Sequence, residues 1–426
     1  LVVGSVRVYK RQEYKKDKQK GDIMAIFDLN SFIAKYVVKR PQSMFLKDIE
    51  NNHETLNSKI GGKKILVIGG AGSIGSSYIK AILPFKPKTL VVVDINENAL
   101  AELTRDIRST RGLYVPDDFV PYPMDFASPT FEKMFRKRGG FDVVANFSAH
   151  KHVRSEKDIF SVEALLQNNV LHAKILLDLL EEFPPEEYFC VSTDKAANPV
   201  NIMGASKRIM EDVIFSYSDK FPVKTARFAN VAFSNGSLPA GFLARISKLQ
   251  PLSAPSDVKR YFVSPEESGQ ICMLACMLGK NREIFFPKLE DAQMMTFDTI
   301  ARELLKEQGF EVLECETDEE AIDKAEQLKN GSKKYPVHFS ESNTSGEKPF
   351  EEFYTDTEKV DMNRLNALGI IVDKEISDRD RIERLFSELK DEFKEETTKD
   401  KIVQIIKDYL PNFEHIETGK SLDSKM

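Results

Sequence analysis

A glycine-rich loop between a short apolar run and a helical pattern constrains the fold of this chain most strongly. The run Lys64–Ile68 is rich in Ile and Val, and Gly69, Gly72 and Gly75 follow it with the spacing GxxGxxG. Such glycines allow a tight turn, a close approach of the backbone to a pyrophosphate, and close packing of helix on strand. The sequence therefore predicts a strand, a phosphate-binding turn and a helix, in that order.

An acidic residue at the end of the next predicted strand indicates which dinucleotide this loop binds. Asp94 lies 19 residues after Gly75, close to the separation of about 20 that is typical of dinucleotide-binding folds. A carboxylate there accepts hydrogen bonds from ribose hydroxyls and repels a 2′-phosphate, so the expected cofactor is NAD rather than NADP. Asp125, after a predicted third strand, is equally consistent with an adenine contact and with a surface carboxylate. The predicted cofactor site comprises Gly69, Gly72, Ser73, Ile74, Gly75 and Asp94, with Asp125 as a candidate.

Short apolar runs alternate with helical patterns from about residue 63 onward. The predicted strands are Lys64–Ile68, Thr89–Val93, Phe141–Ala145, Tyr188–Val191 and Thr225–Phe228. This alternation predicts an α/β fold with a Rossmann-type doubly wound parallel sheet, covered by helices on both faces. After about residue 235 prolines interrupt the pattern, which indicates a smaller C-terminal substrate domain interleaved with the first, and a helical tail.

The expected division has four parts. Residues 1–60 form an N-terminal extension that is partly helical, and residues 61–235 form the NAD-binding domain. Residues 236–360 form the substrate domain and residues 361–426 the tail. Within the tail Ile382, Leu385 and Leu389 recur at helical spacing, which predicts one or two helices that lie at the surface or contact another subunit. Met24 is the expected native start.

Composition excludes several classes of protein. The 426 residues carry 61 Lys and Arg against 67 Asp and Glu, a formal charge of −6, so no basic excess exists for nucleic acid. No apolar run approaches the roughly 20 residues of a membrane span. The four cysteines show no dense pattern, which favours a reduced cytoplasmic protein over a disulfide scaffold. Cys272 and Cys276 are expected as small buried side chains, and no metal site is expected.

Polar residues follow the predicted strand Tyr188–Val191 and a second group follows on the next predicted helix. Thr193, Asp194 and Lys195 leave the end of the strand, where ligands bind in open α/β sheets. Met203 and Lys207 lie four apart on the helix. The arrangement resembles the extended short-chain dehydrogenase/reductase superfamily, which has Ser or Thr after this strand and Tyr-x-x-x-Lys on the helix. Met203 occupies the tyrosine position.

The whole run 192–207 resembles the NDP-N-acetylhexosamine 4,6-dehydratases of bacterial polysaccharide, flagellin and glycan biosynthesis. Further segments agree: 149–153, 227–231, 234–237, 260–262, 346–348 and 351–352. The resemblance covers about residues 60–360. Methionine at position 203 is typical of the branch that retains configuration at C5. The sequence departs from the family at Ala232 and Phe233, where members more often have Leu-Gly.

The resemblance implies an NAD-dependent 4,6-dehydratase of a nucleotide sugar, with UDP-N-acetylglucosamine as the expected substrate. It implies C4 oxidation, C5 deprotonation with loss of the C6 hydroxyl, and hydride return to C6. By resemblance Asp194 is the acid, Lys195 the base, and Thr193 assists because Met203 carries no exchangeable proton. Lys207 is expected at the nicotinamide ribose and Ala149 beside the cofactor. The implied substrate contacts are Lys151, His152, Asn230, Ser237, Arg260 and Glu347. A homo-oligomer is also expected.

Two alternatives remain open from the sequence. A sugar-nucleotide 4-epimerase has a similar fold, but its usual tyrosine acid–base at O4 is replaced here by Met203. A catalytically silent NAD-binding regulatory protein would explain the loss of tyrosine. It would not explain why Thr193, Asp194, Lys195 and Lys207 are all present.

Overall fold

The computed structural model describes residues 27–152, 156–342 and 351–416. Its strands are β1 (Lys64–Ile68), β2 (Thr89–Asp94), β3 (Asp118–Pro123), β4 (Val143–Asn146), β5 (Glu187–Val191), β6 (Val223–Ala226), β7 (Asn230–Val231), β8 (Leu252–Pro255), β9 (Lys259–Arg260), β10 (Phe262–Val263), β11 (Glu283–Pro287), β12 (Met295–Thr296), β13 (Glu311–Glu314), β14 (Lys334–Ser340), β15 (Val360–Asp361) and β16 (Leu368–Ile371).

The α-helices are α1 (Leu29–Phe32), α2 (Leu46–Asn51), α3 (His53–Ile60), α4 (Ser73–Ile82), α5 (Glu97–Ser109), α6 (Pro129–Arg138), α7 (Ile159–Leu166), α8 (His172–Glu182), α9 (Ile202–Phe215), α10 (Leu238–Ser247), α11 (Pro265–Leu278), α12 (Phe297–Glu307), α13 (Asp318–Lys329), α14 (Arg379–Glu392) and α15 (Lys399–Tyr409). Helices α7 and α8 are joined by a π-helical turn, Gln167–Leu171. None of the helices among the described residues combines the length and the apolar character that a membrane crossing requires.

A nine-stranded sheet forms the centre of the molecule. Its strand order is β15-β16-β11-β6-β5-β4-β1-β2-β3. Strands β1 to β6 and β11 run parallel, and β16 pairs antiparallel with both β11 and β15. The order 3-2-1-4-5-6 within it is that of a doubly wound dinucleotide-binding fold. The predicted Rossmann-type α/β fold is therefore confirmed.

Alternation of side chains along the strands gives the sheet a core on each face. In β1, Leu66 and Ile68 belong to one core, and Ile65 and Val67 belong to the other. Successive residues of a strand point to opposite faces, so an unbroken run of Ile, Leu and Val is suited to a sheet covered on both sides. The strand predicted at Thr225–Phe228 is observed at Val223–Ala226. It includes the charged Lys224, which can lie in a buried strand because it forms an ion pair with Glu187.

A smaller parallel sheet lies beyond the main one. Its strand order is β13-β14-β8, and helices α12 and α13 belong to the same segment of chain. A third core holds it together, and Phe32 and Ile33 near the N-terminus belong to this core. The N-terminal helices are also fixed to the main sheet, because the buried Asp48 accepts hydrogen bonds from the main-chain N–H groups of Asn366 and Ala367.

The C-terminal helices pack onto the chain itself. Ile382, Leu385 and Leu389 are buried on α14 with the predicted helical spacing, in the same core as the helices α8 and α9. The Arg379 side chain donates to the Ser216 carbonyl at 2.7 Å. The chain's own core therefore covers this apolar stripe, while the opposite face of α14 is exposed at the surface.

Candidate active site

Predicted site residues follow the carboxyl ends of five adjacent parallel strands. Across the sheet the order is Asp125 after β3, Asp94 at the end of β2, the glycine loop after β1, Ala149 after β4, and Thr193 after β5. The direction of the connections reverses between β1 and β4, and ligands of such folds bind in the crevice at this point. The fold thus brings the separate motifs to one edge of the sheet.

The glycine loop, residues Gly69–Gly75, is held in a shape that only glycine permits at two positions. Gly69 has a φ of +69°, and a Cβ there would lie 2.6 Å from the Ser148 nitrogen. A Cβ on Gly75 would lie 2.4 Å from the Gly69 carbonyl oxygen. Backbone atoms cannot move aside as a flexible side chain can, so the protein itself requires glycine at both positions.

Gly72 differs from these two glycines. A Cβ on Gly72 would have the Gly69 oxygen, at 3.4 Å, as its only described neighbour within 4 Å. Gly72 also precedes α4, and no described side chain caps the first N–H groups of that helix. Ser73 and Ile74 form its first turn, and the Ser73 hydroxyl accepts a hydrogen bond from the Asn235 N–H at 2.8 Å. The open space and the uncapped helix terminus suit an anionic ligand.

Asp94 supports the glycine loop from the neighbouring strand. Its carboxylate accepts hydrogen bonds from the N–H groups of Ala71 and Asn96, both at 3.0 Å. Ile95 follows Asp94 and is 77% exposed, so a flat ring could pack on its side chain. Asp125 is exposed and accepts a hydrogen bond from the Ala127 N–H at 2.9 Å, which leaves both of its predicted roles open.

The loop after β4 forms the other wall of the crevice. The Asn169 side chain, in the π-helical turn, bonds to both the N–H and the carbonyl of His150 at 2.9 Å. It also donates to the Ser206 hydroxyl on α9 at 3.0 Å. Lys151 is exposed, and partial desolvation by the surrounding protein lowers the pKa of its ammonium group. Ala149 is half-buried, and Gly236 lies beside the His152 ring.

The turn after β5, residues Thr193–Lys195, is called here the acid–base turn. The Thr193 hydroxyl donates to Asp194 Oδ1 at 2.7 Å, and Lys195 Nζ lies 3.2 Å from both oxygens of Asp194. Asp194 is buried, whereas Thr193 and Lys195 are half-buried. A hydroxyl, a carboxyl group and an amine are therefore in hydrogen-bonding sequence, and protons can pass along them.

Helix α9 lies against this turn. A Cβ on Gly204 would lie 2.7 Å from the Lys195 carbonyl oxygen, so glycine at this position allows the close approach. Met203 is buried, and its N–H donates to Glu156 Oε1 at 2.9 Å. Lys207 Nζ donates to the Val191 carbonyl at 2.8 Å, and burial lowers its pKa.

Buried charges hold the acid–base turn from behind. Ser192 donates to Glu211 at 2.6 Å, and Arg227 bonds to Glu211 through two nitrogens, at 2.6 and 2.8 Å. Arg227 also bonds twice to Glu358, at 2.8 and 3.0 Å. Burial alone would raise the pKa of Glu358, but Arg227 and Lys374 lower it to about 2. Burial likewise opposes ionisation of Glu211, yet Arg227 holds its pKa below the ordinary value.

A third group of residues meets beside the acid–base turn. Asn230 on β7 pairs with Phe262 on β10, and Arg260 on β9 lies two residues before Phe262. Glu351 accepts a hydrogen bond from Asn230 Nδ2 at 2.5 Å and from the Tyr261 N–H at 2.8 Å. Burial and the charge of Asp194 raise the pKa of Glu351 to about 7.

The remaining predicted residues are placed as follows. Ser237 caps α10 by accepting a hydrogen bond from the Ala240 N–H at 3.3 Å. Phe233 has a φ of +54°, a left-handed conformation that suits the glycine more usual there, and its ring packs on Phe32 with centroids 5.9 Å apart. Glu347 and Met24 lie outside the described residues. Cys272 and Cys276 are buried and free.

Two residues were missed by the sequence analysis. Ile95 carried a signal, because it directly follows the predicted ribose-binding acid. Glu351 lies in the segment 351–352 that matches the resembled family, but its role carried no signal, since 156 residues separate it from Lys195 and only the fold brings them together.

Three of the curated relatives that match this chain show the range of similarity. A membrane protein of Methanocaldococcus jannaschii whose role is uncharacterized is 33% identical over 58% of this chain and 73% of its own. The capsular polysaccharide biosynthesis protein CapD of Staphylococcus aureus is 28% identical over 61% of this chain, which spans only 43% of that protein's length. A UDP-N-acetylglucosamine 4,6-dehydratase (inverting) of Campylobacter jejuni is 27% identical over 54% of this chain and 67% of its own.

Two solved structures share the fold. Pen from Bacillus thuringiensis has a TM-score of 0.59 at 18% identity, covering 78% of this chain and 98% of that one. DesIV from Streptomyces venezuelae, a dTDP-glucose 4,6-dehydratase with NAD bound, has a TM-score of 0.52 at 19% identity, covering 68% and 88%.

A family model described as "polysaccharide biosynthesis protein" matches residues 65–373. The matched region includes the glycine loop, the acid–base turn, helix α9 and the charges behind them, and it amounts to more than half of the chain. The chain therefore belongs to this polysaccharide biosynthesis protein family.

Proposed function

We propose that this chain is an NAD-dependent 4,6-dehydratase of a nucleotide-activated N-acetylhexosamine, with UDP-N-acetylglucosamine as substrate and configuration retained at C5. The observation that carries the proposal is the acid–base turn, in which Thr193, Asp194 and Lys195 are linked by hydrogen bonds at the crevice beside the glycine loop. The Campylobacter relative supports the substrate class. The proposal keeps the cytoplasmic location that the cysteine pattern favours and the homo-oligomer that the resemblance implies.

The described residues fit NAD. The space in front of Gly72 and the uncapped N-terminus of α4 would take the pyrophosphate, and Asp94 would accept hydrogen bonds from the adenosine ribose. Lys207 would lie at the nicotinamide ribose. The chemistry that bound NAD would supply is hydride transfer, first from C4 of the sugar and later back to C6.

The residues of the acid–base turn would move the protons. Met203 has none to exchange, so Thr193 would accept the O4 proton and pass its own to Asp194 across 2.7 Å. Lys195, in its neutral form, would remove the C5 proton. The Asp194 carboxyl would donate a proton to the C6 oxygen as water leaves.

The same geometry accounts for the return to the starting state. After elimination Lys195 holds the proton from C5 and Asp194 has lost one. Lys195 would return its proton to C5 from the side from which it removed it, as hydride reaches C6. This step retains the configuration at C5 and leaves Lys195 neutral and Asp194 ionised, as at the start. Asn230 and Arg260 would contact the sugar nucleotide, with Arg260 suited to the diphosphate. Lys151, His152, Ser237 and Glu347 complete the proposed substrate contacts.

Incubation of the purified full chain with UDP-N-acetylglucosamine, without added reductant, tests this function. A product lighter by one water, absent with Lys195→Ala, is the expected result. A product of unchanged mass but altered configuration would indicate the 4-epimerase. No product from either the UDP or the GDP sugar, although NAD binds, would indicate a silent NAD-binding protein.

A further inference from the structure

Glu351 is a buried carboxyl group whose described hydrogen bonds come from uncharged groups. It is 9% exposed, and its two oxygens accept hydrogen bonds from Asn230 Nδ2 and from the Tyr261 N–H, at 2.5 and 2.8 Å. Among the described parts of the chain, no Lys, Arg or His nitrogen forms an ion pair with it. A buried carboxylate that only uncharged groups stabilise takes up a proton more readily than one paired with a cation.

The charged groups that act on Glu351 include those of the acid–base turn and Arg260. Asp194 disfavours its ionisation and Lys195 favours it, as does Arg260 on β9. Tyr261 turns its hydroxyl away, donating to Asp291 at 2.6 Å. The segment that contains Glu351 lies against the acid–base turn, because Asn198, three residues after Lys195, donates to Glu352 at 3.1 Å. Glu351 is therefore a third ionisable group beside the Asp194–Lys195 pair.

Asn230 is a suitable partner for both protonation states of Glu351. Its amide nitrogen donates to an ionised carboxylate, as in the present geometry. A half-turn of the amide group presents its oxygen instead, which accepts a hydrogen bond from a protonated carboxyl. A lysine or arginine in this place would stabilise only the ionised form.

We propose that Glu351 is a positioning residue of the active site whose protonation state sets how tightly Asp194 and Lys195 hold their protons. Electrostatic coupling between two ionisable groups is reciprocal, so the charge on Glu351 acts on both residues as their charges act on it. The ionised form strengthens proton binding by the pair and the neutral form weakens it. The assignment of chemical roles to this pair rests on the proposed function.

Infrared difference spectroscopy of the full chain, without substrate, tests the coupling directly. The wild type should lose a protonated-carboxyl band as the pH rises through neutrality, and Glu351→Gln should lack this change. In Asp194→Asn the transition should move to lower pH by about one unit, and in Lys195→Gln to higher pH by a similar amount. Identical difference spectra for the wild type and Glu351→Gln would overturn the proposal, as would a transition that neither neighbour moves.

The pH dependence of turnover tests the consequence. Glu351→Gln cannot become negative, so the alkaline limb of its kcat/KM profile should move to lower pH by about one unit. Glu352→Gln is the matched control, because Glu352 contacts Asn198 at 3.1 Å instead, and its profile should equal the wild type's. Superimposable profiles for wild type and Glu351→Gln would contradict the proposal. If the wild type dehydrates no nucleotide sugar, the proposed function fails, while the infrared series still decides on Glu351.

Discussion

The glycine loop and the acid–base turn lie at the same edge of one sheet, but different forces hold them. Gly69 and Gly75 are packed against backbone atoms, which belong to the seven-residue loop itself and to the neighbouring Ser148. The acid–base turn is supported by three side chains from distant segments: Glu211 on α9, Arg227 directly after β6, and Glu358 in the segment after residue 351. The first region is a local motif, whereas the second exists only when distant segments have come together.

The largest expected difference between the regions concerns stability. Arg227→Met leaves Glu211 and Glu358 buried without their cation, which should lower the free energy of unfolding by about 3–5 kcal/mol. Urea denaturation at neutral pH measures this loss. Lys374→Met, which removes a partner 2.9 Å from Glu358, should cost less and serves as the milder variant. Equal stability of Arg227→Met and wild type would show that the buried charges do not hold this region.

The same network predicts an acid dependence of stability. Glu358 has a folded pKa of about 2 against an ordinary value of 4.5. A lowered pKa means that the contribution to stability is complete above about 4.5 and is lost as the pH falls toward about 2. Urea midpoints of the wild type should fall across this window. In Lys374→Met the folded pKa of Glu358 should rise, so the fall should be smaller and should end at a higher pH; an unchanged profile would contradict the assignment.

The glycine loop is tested by two alanine substitutions that the structure separates. Gly75→Ala places a Cβ 2.4 Å from backbone, so both stability and NAD affinity should fall, the affinity by about 100-fold, or about 2.7 kcal/mol. Gly72→Ala meets no such obstacle, so its stability should stay within about 0.5 kcal/mol of wild type while NAD affinity still falls. Calorimetric titration with NAD measures the affinities. Gly72→Ala that binds NAD as tightly as wild type would contradict the predicted place of the pyrophosphate.

Gly204→Ala should disturb the acid–base turn alone. Its Cβ would lie 2.7 Å from the Lys195 carbonyl and would displace the turn by a fraction of an ångström. Such a displacement can lower kcat by up to about 100-fold, here with NAD affinity unchanged. Parallel measurements of kcat and NAD binding check this, and a loss of NAD binding would show that the two regions are not independent.

The smallest expected effect is at Asp94. Asp94→Asn keeps one acceptor for the N–H groups of Ala71 and Asn96 but loses the charge, so NAD affinity should fall by about 10-fold, or about 1.4 kcal/mol. Binding of NADP should weaken less or improve, because the repulsion of its phosphate is removed. The ratio of the two affinities is the measurement, and an unchanged ratio would exclude Asp94 as the discriminating residue.

The contrast also explains what could be predicted from the sequence. The glycine loop, Asp94 and the acid–base turn are short motifs whose geometry depends on near neighbours, and their place at one edge follows from the parallel strands. Lys224 was missed as part of β6 because its charge is paired across the sheet with Glu187, which periodicity cannot reveal. Glu351 was missed as a site residue for the same reason, since its importance arises from contacts with Asn230 and Tyr261 far away in the chain.

The central claim is that one site performs oxidation at C4 and reduction at C6 of the same sugar, with the proton transfers made by Asp194 and Lys195. The most direct measurement uses UDP-N-acetylglucosamine deuterated at C4, incubated with the NAD-loaded full chain, and locates the deuterium in the product by NMR. The account predicts a 4-keto product with deuterium at C6, and none of this product with Lys195→Ala. Deuterium that remains at C4 in an isomer of the substrate would contradict the claim.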